Sequence, residues 1–176
     1  MPQNDVPDFT ELLRSAQHSA VHLEMRDVYS VGDEADDFAE FLHTGVHPDA
    51  DPATADWSGW VPLVRETVAR GVVMRRARIV AEPVTDYIRF EHAGTVVNVT
   101  AGEDVRWLPR RKASDIALPG NDLWLIDGKR VMFHWFTGDG DWAGHEFNED
   151  PATVKMVTDA FEAVWQRAIP HEQYTV

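Results

Sequence analysis

The sequence predicts an α+β fold: a mixed sheet of about five strands with N-terminal helices and one C-terminal helix packed on it. Three observations carry this. Apolar residues recur at helical spacing in segments of the first seventy positions, and short β-branched and aromatic runs separated by Pro, Gly and Asp fill 72–147. The chain then closes on a long amphipathic stretch. At 176 residues, with 44% hydrophobic and 26% charged residues, it suits a single domain, 1–176. Its parts are a helical N-terminal part at 8–70, a sheet-forming part at 72–147 and a C-terminal helix at 151–168.

Residues 8–27 place Phe9, Leu12, Leu13, Ala16, Ala20 and Leu23 on one helical face, with Asp8 as N-cap and Glu11 completing a capping box. "EADDFAEFLHTG" predicts a second helix with Phe38, Phe41 and Leu42 inward and Gly45 as C-cap. A Pro- and Asp-rich linker follows at 46–59. "WVPLVRETVARG" then reads as a helix with Pro62 in its first turn, where a missing N–H is tolerated.

"VVMRRARIVA" favours a strand by its β-branched ends and length, although its alternation leaves the inward face open. In "EPVTDYIRFEH" (82–92), Pro83 can open a helix capped by Glu82 or a neighbour. Asp86 then precedes Arg89 by three residues and Tyr87 precedes Glu91 by four. Four strands follow, in "EDVRWLP", "DLWLI", "RVMFHWF" and "WAGHEF", and the Asp-Gly of "IDGKR" marks a hairpin. The last helix has Asp150 as N-cap, Pro151 at its first position, and Val154, Val157, Phe161, Val164 and Ala168 on one face.

Several chemistries find no support. Without cysteine there is no disulfide, thiolate metal site or Cys nucleophile. His18 and His22 lie one helical turn apart in the predicted first helix but have no third ligand nearby, and Gly45 separates His43 from His47. "HEFNE" lacks the second His of a zincin, "FTGDGDWAG" is no P-loop, and no Ser sits in a nucleophile elbow. No catalytic residue, metal site or cofactor is therefore expected. The start of the chain lacks the pattern of a secretory leader and no apolar run reaches membrane-span length, so a cytoplasmic protein is expected.

A net charge of −14 argues against direct nucleic-acid binding, yet the charge is segregated. Between Arg70 and Lys112 nine basic residues face five acids. Either these arginines pair with the acidic flanks, or they form a surface for an anion or acidic partner. On the second reading, Arg76, Arg78, Tyr87, Arg89 and Glu91 form one binding face. Arg106, Arg110 and Arg111, with Trp107 as an exposed aromatic, form a protein-interaction surface. An enzyme or sensor for a small anion such as a nucleotide or phosphoester is the alternative, with Arg76, Arg78 and Arg89 as clamp and Glu91 or Asp86 as base.

"LEMRDVY" (23–29), "RARIVAEPVTDYIRFE" (76–91), "NVTAGEDVRWLPR" (98–110), "LPGNDLWLIDGKRV" (118–131) and "FEAVWQRAIPHEQY" (161–174) together resemble an actinomycete family, domain of unknown function 6879. The resemblance covers nearly the whole chain. It implies a bacterial cytoplasmic protein encoded near helix-turn-helix regulators, hence a regulatory protein-interaction module partnering such a regulator. The order of elements is also similar to one half of a phospholipase D-like domain, which acts through a His and a Lys two residues apart. Here "DLWLIDGKRVMFHWF" has Lys129 without that His, implying a degenerate, non-catalytic relative.

Overall fold

The computed structural model describes residues 7–30 and 32–176; the start of the chain, on which the expectation about a leader rests, lies outside them. The elements run α1 (Phe9–Ser15), β1 (Ser19–Glu24), α2 (Ala35–Thr44), α3 (Trp60–Ala69), β2 (Val73–Val80), α4 (Asp86–Ala101), β3 (Asp104–Pro109), β4 (Leu123–Ile126), β5 (Arg130–Phe136), β6 (Trp142–Asn148), α5 (Pro151–Arg167) and β7 (Ile169–Pro170). The strands form one mixed sheet in the order β6-β5-β4-β1-β2-β3-β7. β1, β2 and β3 are parallel and the other pairings antiparallel. The α+β class stands, and the strand count is corrected from about five to seven.

The additional strands have identifiable origins. The helix predicted over 8–27 stops at Ser15, although Asp8 caps it as expected by accepting the Glu11 N–H at 3.0 Å. Asp127, in the turn between β4 and β5, then accepts the backbone N–H groups of Gln17 (3.0 Å), His18 (2.7 Å) and Ser19 (2.9 Å) and starts β1. A contact more than a hundred residues away in sequence thus decides the local structure. His18 and His22 consequently share no helical face: His18 is exposed, while His22 is buried on β1 and stacked on Trp124 at 4.3 Å. The other unforeseen strand, β7, is two residues following α5.

Both faces of β1 and β2 are covered, which is why the alternation of β2 did not reveal an inward side. On one face Ala20, Met74, Trp124 and Met132 pack beneath Leu12 and Leu13 of α1, Val61 and Val64 of α3, and Val97 of α4. On the other, Leu23, Ala77, Ile79 and Leu125 meet Val157, Phe161 and Val164 of α5. Helix α2 lies over α4, with Phe38 and Phe41 against Phe90; Leu42, expected inward, is 54% exposed.

The stretch at 82–92 is also corrected. The Glu82–Pro83 peptide is cis and lies outside the helix. Helix α4 begins at Asp86 under Thr85, whose Oγ1 accepts the Ile88 N–H at 3.1 Å, and continues to Ala101. The Asp-Gly hairpin forms: Asp127 and Gly128 adopt φ of 53° and 63° in the 127–129 connection between the paired Ile126 and Arg130.

Candidate functional site

The arginines of the 70–112 segment are neutralised within the fold. Parallel register sets His22 and Glu24 of β1 beside Arg76 and Arg78 of β2. Arg76 donates to Glu24 at 2.9 Å and to Glu103 at 2.8 Å, and Asn98 of α4 donates to Glu103 at 2.9 Å. Arg78 pairs with Glu24 at 2.6 Å and with Glu91 of α4, its guanidinium 5.1 Å over the Trp107 ring. Tyr87 donates to Glu34 at 3.0 Å. Buried charges persist only when paired, and this ladder pairs them.

The rest of the segment follows suit. Arg70 pairs with Glu66, Arg75 with Glu162, Arg89 with Asp86, Arg106 with Asp104, Arg110 with Asp27 and Arg111 with Glu82. Of the two readings of the charge segregation, internal pairing is the one realised. Arg76 and Arg78 are buried beneath α4, Tyr87 is a buried residue of α4 itself, Glu91 is committed to Arg78, and Arg89 lies apart on the exposed face of the helix. Trp107, expected exposed, is 0% exposed. It stacks on Tyr174 at 5.6 Å and donates to His171 at 3.2 Å, because β3 is an interior strand covered on both sides.

An open concavity lies at the carboxyl ends of the parallel strands. There the strand order turns back, since β3 is followed by β4 on the far side of β1, and such crevices are where open α/β sheets bind ligands. Two hollows share Arg110. One of about 350 Å³ is lined by Met25, Arg26, the 118–122 loop, His134 and Phe136; the other, about 320 Å³, by Ala81, Glu82, Arg111 and Ser114.

Arg110 closes the ends of β1 and β2 by donating to the carbonyls of Met25 at 2.6 Å and Ile79 at 3.0 Å and to Asp27 at 3.1 Å. Asp27 in turn accepts the Ala81 N–H at 2.7 Å. Arg26 donates to the carbonyls of Thr137 at 2.9 Å and Gly138 at 3.2 Å, and its guanidinium lies 5.6 Å from the centre of the Phe136 ring. Among the described residues Arg26, Arg65, Lys112 and Lys129 alone lack a carboxylate within 4.0 Å, and of these only Arg26 lines the groove.

Beside it, Asp122 accepts the Met25 N–H at 2.8 Å and the phenolic proton of Tyr29. Burial, assisted by the nearby Glu24, pushes the Asp122 carboxyl up to about 6, and burial followed by Asp122 raises the Tyr29 phenol. His134 is held neutral: burial and then His145 push its imidazole down to about 3. Its Nε2 and the indole Nε1 of the neighbouring Trp142, rings 5.3 Å apart, are buried with no hydrogen-bond partner. The arrangement offers one cation without a countercharge, a carboxyl–phenol pair and unused polar nitrogens behind it.

Lys129 takes no part. It follows Asp127 at the end of the sheet where β1 begins, whereas the groove lies where β1 ends, roughly 15–20 Å away at the rise of a strand. Sequence reasoning missed Arg26, Tyr29, Asp122 and His134, which come from separate segments. The signal for Arg26, Tyr29 and Asp122 was indirect: "LEMRDVY" and "LPGNDLWLIDGKRV" stand out as motifs, and each abuts a strand end.

The fold is similar to that of solved phospholipase D family members. Nuc, a phospholipase D family member from Salmonella typhimurium, has a similar fold with a TM-score of 0.52 and 11% identity, covering 92% of this chain and 86% of that one. NucT from Helicobacter pylori is similar at a TM-score of 0.50 and 12% identity, covering 92% and 87%. TrmBL2, an archaeal chromatin protein described with a novel mode of DNA binding, is similar at a TM-score of 0.49 and 14% identity. That match covers 92% of this chain, which spans about half (49%) of the TrmBL2 chain. The chain itself belongs to the family Domain of unknown function (DUF6879), whose model matches residues 7–176. No curated protein matches the sequence. Among the described residues no helix is long and apolar enough to cross a membrane.

Proposed function

We propose that this chain is a non-catalytic regulatory module that binds a small anionic ligand in the groove at the carboxyl ends of β1 and β2. The observation that carries the reading is Arg26, the one groove cation without a carboxylate partner in a protein where nearly every other arginine has one. An uncompensated guanidinium in a crevice is a ready partner for carboxylate or phosphate. The remoteness of Lys129 supports a binding role over phospholipase D-type catalysis.

A thermal-shift screen of nucleotides, phosphosugars and carboxylates tests this. A ligand at about 100 times its dissociation constant adds roughly 2.7 kcal/mol of stability. Arg26→Met is expected to abolish the shift and Arg89→Met to leave it intact. No shift across the panel overturns the proposal.

The regulatory part implies a protein partner, and a helix-turn-helix regulator is the kind the family resemblance points to. Since the 70–112 arginines are each paired with a carboxylate of the same fold, the partner docks outside that segment. Light scattering on mixtures with neighbouring gene products, with and without the stabilising anion, is expected to show a ligand-dependent complex. Unchanged masses in every mixture remove the partner.

A further inference from the structure

The two hollows differ in what they can neutralise. In the one around Arg111, the exposed guanidinium is already paired with Glu82. In the other, the charge of Arg110 is offset by Asp27, and the carboxyl of Asp122 adds acid to the same wall. That leaves the single positive charge of Arg26, inside a chain whose net charge is −14. A dianion would bring a second negative charge toward Asp122 and the acidic exterior with nothing to meet it, and a desolvated unpaired charge is costly.

The walls have a definite character as well. Met25, Leu118, Pro119 and Phe136 supply apolar surface directly beside Arg26, whose guanidinium lies over the Phe136 ring. Behind them His134, 4% exposed, reaches the lining with Nε2 unpartnered, and Trp142 Nε1 is unpartnered next to it. Buried polar nitrogens without partners are rare in folded proteins, and a ligand oxygen is one way of satisfying them. At about 350 Å³ the hollow is near the bottom of the range of small-molecule sites, roughly 300–1,000 Å³.

Resting on the binding reading above, we propose that the ligand is a small monoanionic carboxylate with an apolar or aromatic body. Its carboxylate pairs with Arg26, and its body packs against Phe136, Leu118 and Pro119 with an oxygen within reach of His134. The ligand is neither a nucleotide nor a phosphosugar.

Isothermal titration calorimetry on the full chain with phenylacetate, hexanoate, acetate, inorganic phosphate and adenosine monophosphate decides the class. Phenylacetate or hexanoate is expected to bind at least tenfold more tightly than acetate, which lacks the body, and than both phosphates. Arg26→Met is expected to weaken that binding at least tenfold, and Arg26→Lys less. Phe136→Ala should weaken phenylacetate several-fold while leaving the weak acetate binding unchanged. Tighter binding of phosphate or adenosine monophosphate overturns the carboxylate class but keeps the anion-binding module. Binding of none of the five, with no shift in the wider panel, overturns both. The wild-type ranking needs no variant, so a variant that fails to fold leaves the test standing.

Discussion

At the scale of single residues the question is which charges hold the protein together and which remain for a ligand. Arg78 belongs to the first kind: it stands between Glu24 and Glu91 and is 6% exposed. Replacing it by Ala leaves Glu91 without its cation and Glu24 with Arg76 alone, so Arg78→Ala is expected to cost about 3–5 kcal/mol in urea denaturation. The exposed Arg89→Ala should change stability by less than about 1 kcal/mol. Equal effects would contradict the buried ladder. Asp122 carries a second expectation. Its folded pKa of about 6 lies above the unfolded carboxyl value, so its contribution to stability is full at low pH and is lost as pH rises through about 6. The destabilisation of Asp122→Asn relative to wild type should therefore shrink between pH 5 and pH 8; a constant difference would show that Asp122 is not held protonated. The pairing of the arginines was legible in the sequence as one of two readings, because acids outnumber bases outside the segment. That Arg26 stays unpaired in the groove was not, because it lies outside the basic run and its surroundings come from the 118–122 loop and β5.

At the scale of elements, local signals succeeded where the interaction is local. Asp8, Asp127 with Gly128, and Asp150 with Pro151 specify a cap, a turn and a helix start within a few residues, and each of these forms. β1 was illegible because "SAVHLE" also fits the helical spacing of the segment before it, and what makes it a strand is pairing with β2 and β4 together with Asp127. Helix α4 starts at Asp86 and not at Pro83 because Thr85 supplies the cap, a choice among neighbouring residues that the sequence left open. Asp127→Ala removes the acceptor of three backbone N–H groups and is expected to destabilise the chain by roughly 1–3 kcal/mol. Lys129→Ala, one turn position away from that role, should stay within about 0.5 kcal/mol. A silent Asp127→Ala would mean that strand pairing alone sets the start of β1.

At the scale of the whole molecule, the sheet buries neutral imidazoles on one face and leaves its crevice at the other end of the crossovers. His22, His134 and His171 are all lowered, chiefly by burial, His134 to about 3 and His171 to about 4. A depressed histidine contributes stability above its unfolded value of about 6.5 and loses it as pH falls toward the folded value. Raised carboxyls act oppositely: Asp122 and Glu34, the latter pushed up to about 7 by burial and Glu91, favour lower pH. The histidines are more numerous and include the larger shifts, so the melting temperature is expected to rise from pH 4.5 to about 6.5 and level off near pH 7. A maximum at pH 5 would contradict this balance.

The central claim is that the arginine-rich segment is scaffold and the crevice at the ends of β1 and β2 is the binding site. The most direct test is a titration of the ¹⁵N-labelled chain, followed by backbone amide shifts, with whichever anion gives the largest thermal stabilisation. Shifts concentrated at residues 25–29, 81–82, 110–111, 118–122 and 134–138 are the expected result. Shifts concentrated at 75–78, 89–91 and 104–107, with the groove silent, would contradict the account and return the arginine-rich strands to the site.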